Sequence, residues 1–188
     1  MYSVGMATLQ RRPRKTVDDF MKLPEDVRAE LIDGEIYVMS PSPRERHQAS
    51  VGNLHFRLRG HVEANRLGRV YLAPFDVHLP SGDIVQSDLV FVAQANLGVV
   101  RDWIRGTPDL VIEVVSPERP ERDRIVKRDL YARNGVPEFW LVDPEDQAIE
   151  VLRLVEGRYA PAGYFRPGET LRSAALPGLE LRVVDVFA

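Results

Sequence analysis

Pro108-Asp109-Leu110-Val111-Ile112-Glu113-Val114-Val115-Ser116 is the stretch whose reading decides the fold. Leu110 to Val115 is apolar on both alternating faces except at one position. Such a strand belongs in the middle of a sheet with helices over both sides. Asp109, Val111, Glu113 and Val115 share one face, and Leu110, Ile112 and Val114 share the other. Glu113 is therefore a carboxylate set in the middle of a buried strand. Leaving it there without compensation costs on the order of several kcal/mol.

Upstream, Ile84 to Val92 reads as a second strand, interrupted by Asp88 between Ser87 and Leu89. Downstream, Glu121 to Asn134 reads as a helix with Gly135 as its cap, and it carries Lys127. Phe139 to Val142 reads as another buried strand. Further out, Asp33-Gly34 between apolar flanks marks an N-terminal hairpin. Val51, Leu54, Leu58 and Val62 recur as on one face of a helix, with Gly68 as its C-cap. Thr16 caps a short helix, and a short helix is expected around Val99 to Ile104. Val70 to Ala73 and Phe75 to Leu79 read as strands. Ile149 to Val155 and Tyr159 to Phe165 form a C-terminal hairpin around Glu156-Gly157. The pattern is α/β: helices over a mixed sheet, with antiparallel hairpins at the N- and C-termini. One domain is expected over residues 16–188, preceded by a basic, flexible tail over 1–15.

The chain has 188 residues, enough for a sizeable core. Its net charge of -3 disfavours holding nucleic acid by bulk charge, while leaving room for a local basic groove. With no cysteine, disulfides, thiolate metal sites and cysteine nucleophiles are excluded. No apolar run approaches the ~18 residues of a membrane span, and no apolar core follows the basic N-terminus, so a cytoplasmic protein is expected. Lysine is scarce: Lys15, Lys22 and Lys127 are the only ones among 25 basic residues. Walker, dinucleotide-binding and serine-hydrolase motifs are absent, and the histidines have no zinc spacing.

Two carboxylates on neighbouring strands can converge on one cation. Mg²⁺ takes oxygen ligands, keeps several waters and needs only one or two protein carboxylates beside a phosphate. Asp88 and Glu113 suit that requirement. A metal lowers the pKa of a bound water for attack on a phosphodiester. A lysine such as Lys127 can position that water and offset the developing charge.

At this point the chain resembles the Uma-two family of restriction endonucleases, within the PD-(D/E)XK nuclease superfamily. That superfamily places an aspartate on one strand and Glu-x-Lys or Asp-x-Lys on the next. Asp88 matches the first position and Glu113 the second, while Val115 stands where the lysine usually does. The resemblance implies that the lysine is supplied from the following helix as Lys127. It extends to Glu30-Leu31-Ile32-Asp33-Gly34-Glu35, to His47 after a proline-rich break, to Asp123-x-x-x-Lys127-x-x-x-Tyr131 and to Gly135-Val136-Pro137-Glu138-Phe139-Trp140. It implies a restriction-endonuclease-like fold and a Mg²⁺-dependent endonuclease (Mn²⁺ substituting) acting on DNA. Asp88 and Glu113 would be the metal ligands, Lys127 the water-placing cation, and Glu30 and His47 supporting groups. A homodimer is expected, since cutting both strands needs two sites.

Each residue also has a plainer reading. Glu113 could pair with an arginine, and Asp88 could sit at a strand end and bond backbone amides. Asp123, Lys127 and Tyr131 could be a solvated helix face, Glu30 an exposed hairpin residue and His47 surface. Trp140 and Tyr37 read as core. The competing class is a binding module that keeps the nuclease fold without catalysis.

Overall fold

The computed structural model describes residues 13–39, 44–116 and 121–188. The proline-rich break before His47 (Ser40-Pro41-Ser42-Pro43) and residues 1–12 of the expected tail lie outside them. Arg14 and Lys15 do not belong to a free tail. The Lys15 amide donates to the Gly34 carbonyl at 2.7 Å, and the Arg14 stem packs on Gly34.

Thr16 and Asp19 form a capping box that opens α1 (Val17–Phe20). β1 (Ala29–Ile32) and β2 (Glu35–Val38) form the expected hairpin. Its turn residues Asp33 and Gly34 have φ of 54° and 77°. Two consecutive positive φ values are what a two-residue hairpin turn requires. α2 (Glu45–Ala64) follows, then β3 (Gly68–Leu72), β4 (Val77–His78), β5 (Ile84–Val85) and β6 (Leu89–Ala93). A 3₁₀ turn (Gln94–Val99) precedes β7 (Ile104–Arg105) and β8 (Leu110–Val114). A π-helical turn (Arg122–Lys127) runs into α3 (Arg128–Arg133). β9 (Glu138–Asp143), β10 (Ala148–Val155), β11 (Arg158–Phe165), β12 (Thr170–Leu171) and β13 (Leu181–Arg182) complete the order.

The main sheet has the order β11-β10-β9-β8-β6-β3, with β8 and β9 parallel and the other pairs antiparallel. β8 is interior, as its two apolar faces require. Leu110, Ile112 and Val114 pack under Val51, Leu54, Leu58 and Val62 of α2. Val111 and Val115 pack on the other side with Leu130 and Tyr131 of α3. Glu113 alternates with this second set. A smaller sheet, β2-β1-β5-β4-β7, contributes Ile32, Val77, Val85 and Ile104 to the same cluster. The fold is α/β, with mixed sheets flanked by helices and antiparallel hairpins at both ends.

Three sequence expectations are corrected. Ile84 to Val92 is not one strand: β5 belongs to the small sheet and β6 to the main one, and the chain changes sheets at Gln86-Ser87-Asp88. Gly68 is not the cap of α2, whose C-cap is Asn65. Gly68 opens β3 with φ 148°, where a Cβ would collide with the Val92 carbonyl oxygen. The short helix expected at Val99 to Ile104 is instead the 3₁₀ turn ending at Val99.

Candidate active site

The strand register brings Asp88 to Glu113. β6 and β8 pair as Leu89 with Ile112 and Val90 with Val111, so Asp88 falls one step beyond, across from Glu113. Asp88 Oδ2 accepts the Val114 amide at 2.8 Å, one residue from Glu113. Its backbone still pairs with the β3 side, through the Ala73 amide at 3.1 Å. Asp88 is thus at a strand entrance holding a backbone amide, and beside the second carboxylate as well.

Lys127 reaches the same place. Its ammonium lies 2.8 Å from Glu113 Oε2, 3.3 Å from Glu30 Oε1 and 3.9 Å from Asp123 Oδ1. It is 4% exposed, so this is no solvated helix face. Glu30 is fully buried in β1. It also takes the Gln86 amide at 3.0 Å and pairs with the Arg122 guanidinium, which lies over the Tyr37 ring, 4.7 Å from its centroid. Tyr37 is only half-buried, under this cation, while Trp140 is fully buried.

The π-helical turn explains why Arg122 and Lys127 both meet Glu30. Five residues apart, they would point about 140° away from each other around an ordinary α-helix of 3.6 residues per turn. The wider i→i+5 turn restores them to a common side.

Tyr131, fully buried, donates its hydroxyl to Glu113 Oε1 at 2.5 Å. That hydroxyl lies 2.8 Å from Ser87 Oγ. With its single proton on Glu113, the tyrosine accepts from the serine. Both oxygens of Glu113 are therefore held by the helix side, one by Lys127 and one by Tyr131. His47, in the first turn of α2, places Nε2 3.4 Å from Asp88 Oδ2, and its Nδ1 is buried without a partner.

Burial pushes Glu113 up to about 8; Lys127 opposes this, and Asp88, Asp123 and Glu30 add to it. For Lys127, burial works against its charge, and the surrounding carboxylates overcome it, holding the ammonium protonated. Burial raises Asp123 as well, against Lys127 and the Ser116 amide. Burial lowers His47, but the neighbouring Asp88, Glu113 and Asp123 leave it raised. The site therefore gathers four carboxylates, Glu30, Asp88, Glu113 and Asp123, around the two permanent cations Lys127 and Arg122. Carboxylate oxygens are the hard donors that Mg²⁺ or Mn²⁺ takes. Among the described residues no group of three or more acidic or histidine side chains is arranged to hold a metal by itself. Asp88 and Glu113 would hold such an ion with water and substrate oxygens completing its shell.

Comparison with known proteins follows the same lines. A family model described as Uma2, "putative restriction endonuclease", matches residues 17–184. The chain belongs to the Uma2 family. The crystal structure of a putative nuclease belonging to DUF820 from Anabaena variabilis is similar, with a TM-score of 0.76 and 22% identity over 92% of this chain and 97% of that one. At that identity the likeness concerns the fold. No curated protein matches the chain.

Of the five residues singled out from sequence, this Uma2 chain brings Glu30, Glu113 and Lys127 into one buried network, with Asp88 and His47 paired beside it. Arg122, Ser87 and a positioning role for Tyr131 were not read from the sequence. The four-residue spacing of Asp123, Lys127 and Tyr131 was the available signal, and it also suits a solvated face. Nothing in the sequence marks Arg122, since its place depends on the π-helical turn.

Proposed function

We propose that the chain is a Mg²⁺-dependent endonuclease that hydrolyses phosphodiester bonds of DNA, cytoplasmic and acting as a homodimer. The observation that carries the reading is the meeting of Asp88 and Glu113 at one strand end, with the Lys127 ammonium 2.8 Å from Glu113. A bound divalent ion would supply a water of lowered pKa and neutralise charge on the phosphoryl group. Asp88 and Glu113 would hold it. Tyr131 fixes the Glu113 carboxylate from behind. Lys127 has three N–H groups; those toward Glu113 and Glu30 are engaged, and the one toward Asp123 is held only at 3.9 Å. That third donor is the one free to meet an oxygen of water or substrate. His47 holds Asp88 and can carry a proton at Nε2.

The test is DNA cleavage in Mg²⁺ or Mn²⁺. Wild type should cut, and Glu113→Gln and Asp88→Asn should not, with all three folded. Lys127→Ala should also be inactive. It leaves buried carboxylates uncompensated, though, a cost of about 3–5 kcal/mol, so Asp88→Asn is the cleaner variant. Equal residual cutting by every variant would assign the activity to a contaminant and overturn the reading.

One observation favours a second reading, a nuclease-fold binding module without catalysis. Both Glu113 oxygens already have hydrogen-bond donors. Such a module binds no Mn²⁺ that Asp88→Asn removes, and calorimetry separates the two.

A further inference from the structure

The outer side of the helix that carries Lys127 holds a groove of about 640 Å³ that contains none of the site residues above. It runs between the π-helical turn with α3 and the turn joining β10 to β11. Four arginines from these elements line it, Arg124, Arg128, Arg133 and Arg158, against one carboxylate, Asp129. The whole chain is acidic, at -3, so this concentration of arginine is local.

The four are not equivalent. Arg124 is tethered to Asp143, and Arg133 to Asp33 at 2.8 Å and Asp83 at 3.0 Å. These two are fixed in place with much of their charge answered. Arg128 donates to the Tyr159 carbonyl at 3.3 Å, which orients it without neutralising it. Arg158 is exposed and makes no ion pair among the described residues. Two arginines are thus set in position and two retain their full charge. A guanidinium presents paired donors that match the oxygens of a phosphate.

The groove is also joined to the site through the chain itself. Asp123 faces the buried network while Arg124 lines the groove, and the same holds for Lys127 and Arg128. Arg124 is anchored on Asp143, just beyond Val142, whose carbonyl accepts the Val115 amide. Arg124 is thereby tied to the C-terminal ends of the parallel strands β8 and β9, the end at which Glu113 sits.

We propose that this groove holds the phosphodiester backbone of a nucleic-acid strand, with Arg128 and Arg158 as its charge contacts and Arg124 and Arg133 as fixed flanks. The choice of nucleic acid among polyanions rests on the nuclease reading above; the groove itself does not.

The experiment is fluorescence anisotropy of a fluorescein-labelled single-stranded or duplex oligonucleotide in EDTA, across a salt series, so that no cleavage enters. Wild type should bind at low salt. Arg128→Gln/Arg158→Gln should bind about tenfold more weakly, and its slope of log affinity against log salt should fall by about 0.7–0.9 for each lost contact. Arg172→Gln, at an exposed ion pair away from the groove, should bind as wild type. Unlabelled poly-glutamate should compete poorly and inorganic phosphate only weakly. Absence of binding by wild type, or equal binding by the double variant, overturns the proposal. Poly-glutamate competing as well as the oligonucleotide overturns the assignment to a phosphate backbone. Cleavage that persists in the double variant with unchanged KM sinks the groove and leaves the nuclease reading standing. Binding without any divalent-dependent cleavage does the reverse.

Discussion

Glu113 carries a cost to stability that its neighbours only partly offset. Its carboxyl is raised from 4.5 to about 8 by burial and by surrounding like charges. For an acid raised in this way, the folded chain binds a proton that the unfolded chain has released. This group's contribution therefore weakens the fold as pH climbs from 4.5 towards 8. Glu113→Gln keeps the shape and removes that burden. Its thermal midpoint relative to wild type should rise across this pH window, by roughly 2–4 °C for each 1 kcal/mol relieved. A constant difference with pH would show that the carboxyl is not raised. The same substitution should abolish cutting, so stability and activity move in opposite directions, as at sites built for chemistry. Glu113 was legible as a buried carboxylate from strand alternation alone. Arg122 was not, because its approach to Glu30 depends on a helical geometry that residue spacing does not encode.

Among the elements, the two hairpins were the most legible, because their turns demand a local chemistry. Asp33-Gly34 and Glu156-Gly157 both take positive φ at successive residues, 54° and 77° in one and 50° and 78° in the other. The change of sheet between β5 and β6 was not legible. Gln86-Ser87-Asp88 breaks the apolar run between Val85 and Leu89, but a polar break does not say which sheet each half joins, and only tertiary pairing decides that Val85 joins β4 while Leu89 joins β3 and β8. Gly68 was misread for a related reason. A glycine after an amphipathic run suggests a cap, but here it starts a strand against the Val92 carbonyl. Gly68→Ala should destabilise by several kcal/mol at most, on the order of 1–3 from backbone strain plus the displacement of β6. Urea unfolding reads this directly, and an unchanged midpoint would return Gly68 to an ordinary role.

For the whole molecule, the proposed uptake of a divalent ion at Asp88 and Glu113 would make folding and cation binding one linked equilibrium. An ion taken up only by the folded chain stabilises it, by about 2.7 kcal/mol at one hundred times its Kd. Mn²⁺ should raise the thermal midpoint of wild type, and Asp88→Asn should erase the rise; no shift in wild type would remove the metal from the proposal. Self-association, expected from the need to cut two strands, is checked by sedimentation. The family assignment reaches across residues 17–184, and the order of its motifs was readable early. Val115 stands where the superfamily's lysine usually does, and Lys127, which the resemblance named in its place, lies against Glu113. The network around it joins Glu30 on the small sheet to Glu113 on the large one through a single ammonium. Lys127 is therefore a rivet between two layers before it is anything else. A chain of this fold without any nuclease activity would still have to retain a cation there to keep its layers together. Loss of chemistry would show first at Asp88, whose place needs only something that accepts an amide proton.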